Sequence, residues 1–192
     1  MIREKYFEDR FSDRFTPNNV ILKLFPQLAE QTVSSVNAPH LRISLAQSDL
    51  TAVPGSRITL LVEAELPPEV HVYSPGVKGY KPISLSLQPA PDFHAGPTSY
   101  PASKMLHLEA INETVPVFEG KFRIAQDVTF ASSDELIHSL APSGKAIDIV
   151  GELKYQACDK KVCYLPMSIP LTWRVQLTPL DAQRSPAAIQ HK

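Results

Sequence analysis

Ile169-Pro170-Leu171-Thr172-Trp173-Arg174-Val175-Gln176-Leu177 places an apolar residue at every second position. Side chains of a strand alternate between its two faces, so this segment predicts a strand with one buried face and Trp173 on it. The same period recurs upstream. Leu41, Ile43 and Leu45 alternate with Arg42 and Ser44, and Ile58, Leu60, Val62 and Ala64 follow. Ile83, Leu85 and Leu87 alternate with Ser84 and Ser86; then come Leu106 and Leu108, Phe122 and Ile124, and Ile147 and Ile149 leading into Leu153 and Tyr155. About eight short strands with turn residues between them is the pattern of an antiparallel sandwich. The 18 prolines support it, because those between the apolar runs, such as Pro54, Pro89, Pro101 and Pro142, exclude long helices and central strands there. The expected fold class is all-β, an antiparallel β-sandwich over residues 40–178, with one helical turn at Asp134–Leu140.

The ends differ in character. Ile2–Phe7 reads as a short strand, and Thr16-Pro17 as an N-cap followed by a first-turn proline. Val20, Ile21, Leu24, Phe25 and Leu28 recur at helical spacing, and Pro26 ends or kinks that helix. Residues 1–25 are thus expected to form a strand–helix arm, 26–39 a linker, and 179–192 a disordered tail.

A net charge of −1 on 192 residues gives no field for nucleic acid or anionic lipid, and neither is expected as a partner. No run of about 18 apolar residues occurs, so no membrane insertion is expected. The first ten residues lack the apolar core of a secretion signal.

The chemistry-bearing segment is Tyr155-Gln156-Ala157-Cys158-Asp159-Lys160-Lys161-Val162-Cys163-Tyr164-Leu165-Pro166. A strand runs into Cys158 and another begins after Pro166, so the only two cysteines flank a tight hairpin loop. Closing so short a loop removes little unfolded-chain entropy, on the order of 2 kcal/mol, which makes it a poor place for a staple. Lys160 and Lys161 favour thiolate, the attacking species in disulfide exchange, while Asp159 opposes them. Spacing alone leaves a redox pair and a passive disulfide both open. Cys163 and Met167 are spaced like a blue-copper ligand loop, but no histidine lies between them and the six histidines show no ligand spacing. Gly-x-Ser-x-Gly, phosphate-loop and His-Glu-x-x-His motifs are absent from the sequence. No metal or organic cofactor is expected.

The segment from Tyr155 to Pro166 resembles the active-site hairpin of the DsbD N-terminal domain family: Tyr-Gln-small-Cys, a short polar loop, Cys-aromatic, then proline. His71-Val72-Tyr73-Ser74-Pro75 is similar to the aromatic strand beside that family's cysteines, and Val117-Phe118-Glu119-Gly120-Lys121 to its cap loop. The resemblance covers Leu41 to Leu177 and implies an immunoglobulin-like sandwich located in the periplasm. It implies dithiol–disulfide exchange that carries electrons from a membrane-embedded donor to thioredoxin-fold proteins. Cys158 would then form the mixed disulfide with Cys163 as its partner, Phe118 would shield the pair, and Tyr73, His71, Tyr155 and Tyr164 would complete the pocket.

The sequence departs from that pattern in places. The loop between the cysteines is one residue shorter, Glu119 replaces the second cap aromatic, and Pro116 and Val117 stand where acidic residues precede the cap. His71 stands where a tyrosine is common. The first 25 residues resemble the last strand and helix of a peroxiredoxin-like redoxin domain, without a catalytic cysteine of their own. Two functions follow: a redox relay through Cys158 and Cys163, or a non-catalytic binding sandwich with a structural disulfide.

Overall fold

The computed structural model describes residues 32–109 and 112–180. The arm over 1–25, with its redoxin likeness, and the tail beyond Leu180 lie outside the described residues. In chain order the strands are β1 Thr32–Ala38, β2 Leu41–Gln47, β3 Thr51–Ala52, β4 Arg57–Glu65, β5 His71–Tyr73, β6 Ser84–Leu87 and β7 Phe93–Ser99. Then follow β8 Lys104–Leu108, β9 Glu113–Glu119, β10 Lys121–Phe130, β11 Lys145–Tyr155, β12 Ala157–Cys158 and β13 Met167–Leu177. One helix, α1 Asp134–Ser139, lies between β10 and β11, and the Ser133 hydroxyl caps it by accepting from the Leu136 N–H at 3.3 Å.

Two sheets make an immunoglobulin-like sandwich whose pairs are antiparallel except for the short β3 beside β13. The first has the order β1-β2-β4-β10-β7 and the second β3-β13-β11-β6. The alternation read in the sequence lands on their facing surfaces. Leu41, Ile43 and Leu45 of β2, Ile58, Leu60 and Val62 of β4, Ile147, Ile149 and Leu153 of β11, and Leu171, Trp173 and Val175 of β13 form one buried core. Each such apolar side chain contributes roughly 1.5–3 kcal/mol by leaving water. Trp173 is fully buried, and its indole N–H donates to the Ala46 carbonyl of the opposite sheet at 3.1 Å. The Gln47 amide donates to the Arg174 carbonyl at 3.0 Å, a second polar tie between the layers.

A third sheet, order β12-β5-β9-β8, is hydrogen-bonded separately from the two sandwich layers, packs Val72, Phe118 and Ala157 into the same core, and carries the cysteine strand. Its strands are short, and β9 contains Pro116, so the sequence pattern did not distinguish it. The stretch 26–39, expected as linker, is corrected in its second half: Thr32–Ala38 pairs with β2 from Thr32↔Ala46 to Ala38↔Leu41. The reason is its place at the sheet edge. Ser34, Ser35 and Asn37 are exposed there, so of its described side chains the strand offers only Val36 and Ala38, both partly buried against the core, and relies on backbone hydrogen bonds for the rest.

Candidate functional site

The β11–β13 ladder is the ruler that places the site. It pairs without interruption from Lys145↔Leu177 to Tyr155↔Met167. Beyond that pair the chain leaves the second sheet. β12 crosses to the third, where Ala157 opposes Val72 and Cys158 opposes His71. Tyr164 N–H returns to the Ala157 carbonyl at 2.8 Å, and the Gln156 amide donates to the Tyr164 carbonyl at 2.9 Å. These bonds close the hairpin and bring Cys158 and Cys163 opposite each other, Cα atoms 4.0 Å apart, joined as a disulfide.

Asp159 builds the turn. Its Oδ1 accepts from the backbone N–H of Lys161 at 2.7 Å and of Val162 at 2.9 Å, and its Oδ2 accepts from the Tyr164 hydroxyl at 2.7 Å. An aspartate bonding backbone amides two and three residues on is a standard way to fix a tight loop. The Val162 and Lys161 backbone bonds, then the Tyr164 hydroxyl, pull its carboxyl pKa down to about 2. Tyr164 also stacks on His40 at 3.7 Å between ring centroids, which ties the hairpin to the turn between β1 and β2.

The two sulfurs have unequal surroundings. Cys158 is 1% exposed and packs with Tyr73, Val115 and Val117. Cys163 is exposed at the hairpin tip, beside Val162 at 53% and Leu165 at 83% exposure. The Tyr73 hydroxyl lies 3.8 Å from Cys163 Sγ. Tyr73 is itself buried, stacks on Tyr80 at 4.3 Å and meets the edge of His71 at 5.5 Å. Tyr80 in turn donates to Glu113 at 2.6 Å, a bond that pushes its own pKa up to about 12.

The structure brings Tyr73, His71 and Tyr164 to the pair and leaves two expected pocket residues elsewhere. Phe118 does not cap the cysteines. It opposes Val72 within β9, is buried in the sandwich core, and stacks on Phe122 at 5.0 Å. The cause is parity: Ala157, Val72 and Phe118 share the core face, so Cys158, His71 and Glu119 share the other. Tyr155 is likewise a core residue, its hydroxyl donating to the Pro39 carbonyl at 2.7 Å. Lys160 does stand beside the loop, but its ammonium is paired with Glu69 at 2.7 Å, which moderates any field it exerts on a thiolate. The Lys161 side chain is exposed.

Residues 44–171 match the model of the N-terminal domain of the thiol:disulfide interchange protein DsbD. The chain belongs to that family. Among solved structures, the N-terminal periplasmic domain of ScsB from Proteus mirabilis aligns at 13% identity and a TM-score of 0.49, over 78% of this chain and 53% of that one. This chain therefore spans about half the length of that domain. The reduced DsbD N-terminal domain of Neisseria meningitidis aligns at 17% identity and a TM-score of 0.38, over 61% of this chain and 82% of that one. No curated protein matches. The family takes its name from thiol:disulfide interchange, and this member carries a bonded cysteine pair. Among the described residues no helix is long and apolar enough to cross a membrane.

Sequence reasoning missed Tyr80 and Val115 as neighbours of the pair, and Glu113 as the partner of Tyr80. Nothing in their spacing signals it, because the contacts arise only when β8, β9 and the loop after β5 fold over the same face as Cys158.

Proposed function

We propose that this chain is an electron relay that works by thiol–disulfide exchange through Cys158 and Cys163, in the periplasm, with thioredoxin-fold proteins as exchange partners. A membrane-embedded protein is the proposed electron donor. The observation that carries the reading is the asymmetry of the pair: one sulfur-bearing residue open to a partner, the other buried. Exchange needs an accessible sulfur for the incoming thiolate and a protected one to act afterwards. That arrangement reverses the roles expected from resemblance. Cys163 forms the mixed disulfide, and Cys158 resolves it.

Val162 and Leu165 support the same reading, since two exposed apolar side chains beside a reactive sulfur offer a partner a dry contact. The small loop argues against a staple, as the entropy it removes is slight.

The test is trapping. With Cys158→Ser, the remaining Cys163 thiol should capture an oxidised thioredoxin-fold protein as a stable mixed disulfide. Cys163→Ser should capture little. If neither variant captures such a protein, or the second captures more than the first, the assignment is wrong.

A further inference from the structure

His71 is a buried ionisable side chain beside the pair that the exchange reading leaves unused. It is 3% exposed, and its Nε2 has no hydrogen-bond partner. A buried imidazole nitrogen left unpaired is costly, and such a group in a native site calls for an explanation. Its position supplies one. His71 is the cross-strand partner of Cys158. Directly opposed residues on one sheet face bring their Cβ atoms to about 4.5–5.5 Å, which sets the imidazole beside Cys158 on one face, with Nε2 unbonded while the disulfide is intact.

We propose that His71 is a catalytic residue of the exchange reaction, donating a hydrogen bond from Nε2 to the Cys158 sulfur as it leaves. The inference rests on the relay reading. A partner thiolate forms a bond to Cys163 Sγ, the Cys158–Cys163 bond breaks, and Cys158 departs with the bonding pair as a thiolate. That thiolate forms where Cys158 is almost fully buried, so water cannot solvate it. The Nε2–H of His71 takes water's place. The partner's second thiolate then attacks the partner's own sulfur in the mixed disulfide and releases Cys163. Two electrons have moved from partner to pair, and the protons released by the partner's two thiols end on Cys158 and Cys163 by way of solvent, His71 keeping its own.

The groups facing His71 are few. Glu119 opposes it from β9 and is paired with Lys104 of β8 at 3.5 Å; Asp159 approaches from the hairpin, and Tyr73 presents its ring on the same strand. Burial lowers the imidazole pKa, against the smaller opposing pull of Glu119 and Asp159. His71 is therefore a neutral donor at neutral pH and becomes a stronger, charged donor only in acid.

The experiment is the second-order rate of bridge reduction by dithiothreitol, divided by the reductant's thiolate fraction, across acid and neutral pH. His71→Phe should slow it by about 10- to 100-fold at neutral pH, the range a hydrogen bond to a charged group commands. His71→Gln, which keeps a donor near the Nε2 position, should retain most of the rate. The wild-type normalised rate should rise as pH falls below the ordinary imidazole range, and both variants should be flat there. A Phe variant as fast as wild type overturns the proposal, as does an acid rise that survives in either variant. If His71→Phe does not fold, the Gln profile alone decides. Dithiothreitol needs no protein partner, so failure here is separate from failure of the trapping test.

Discussion

Reducing the Cys158–Cys163 bridge should leave the sandwich folded and only slightly less stable. The bridge spans a sequence separation of 5, and loop-closure entropy for so few residues amounts to about 2 kcal/mol, against about 4.7 kcal/mol for a 100-residue loop. Nothing in the core depends on the bond. The hairpin is also held by the Asp159 turn, the Tyr164 to Ala157 backbone bond and the eleven-residue β11 and β13 strands behind it. A reduced Cys158 remains a small apolar side chain against Tyr73, Val115 and Val117. The assay is urea unfolding of oxidised and reduced protein followed by the fluorescence of Trp173, the single tryptophan, which is fully buried. With a urea slope of about 1–3 kcal/mol/M, the midpoint should fall by roughly 1 M. A reduced protein that is unfolded without urea, or a loss of twice that size, would refute the reasoning and make the bridge a staple.

Three further outcomes follow from placement. Phe118→Ala should destabilise by about 3–5 kcal/mol, the cost of emptying a large aromatic site in a core, while reduction of the bridge by small thiols stays unchanged; thermal melts and reduction rates check both halves. Trp173→Ala should cost about 3–5 kcal/mol for the same reason, in addition to leaving the Ala46 carbonyl without its donor, and a loss below about 1 kcal/mol by urea unfolding would contradict the packing described. The Asp159 carboxyl has a folded pKa depressed from 3.8 to about 2, so its support of the turn is present above the ordinary carboxylate range and is lost as pH falls through about 2. Amide resonances of Lys161 and Val162 should therefore titrate near the lower value, whereas a midpoint near 3.8 would mean that the turn bonds do not hold.

Much of the sandwich was legible because its central strands bury one face and so write period two into the sequence. Leu41–Leu45, Ile58–Ala64 and Ile169–Leu177 each fall on a strand of the core. Edge strands with few core-facing residues were not legible: of its described side chains β1 offers only Val36 and Ala38 to the core, and β7, which buries Phe93, contains Gly96 and Pro97, residues that ordinarily argue against a strand. The cysteine hairpin could be found from its spacing and flanking aromatics. The place of Phe118 could not, because a side chain's face depends on register, and one step along β9 separates the core from the cysteine side. The unequal burial of the two cysteines was hidden for a similar reason. Cys158 sits in a paired strand and Cys163 at an open tip, a difference made by the crossing of β12 to the third sheet.

The most direct test of the relay is the reduction potential of the Cys158–Cys163 pair, measured by equilibrating the protein in glutathione buffers and counting free thiols by alkylation and mass. Structural disulfides lie below about −300 mV, and exchangeable ones lie above it. A potential above that boundary is the result the relay predicts, and a pair that stays oxidised below it would contradict the account.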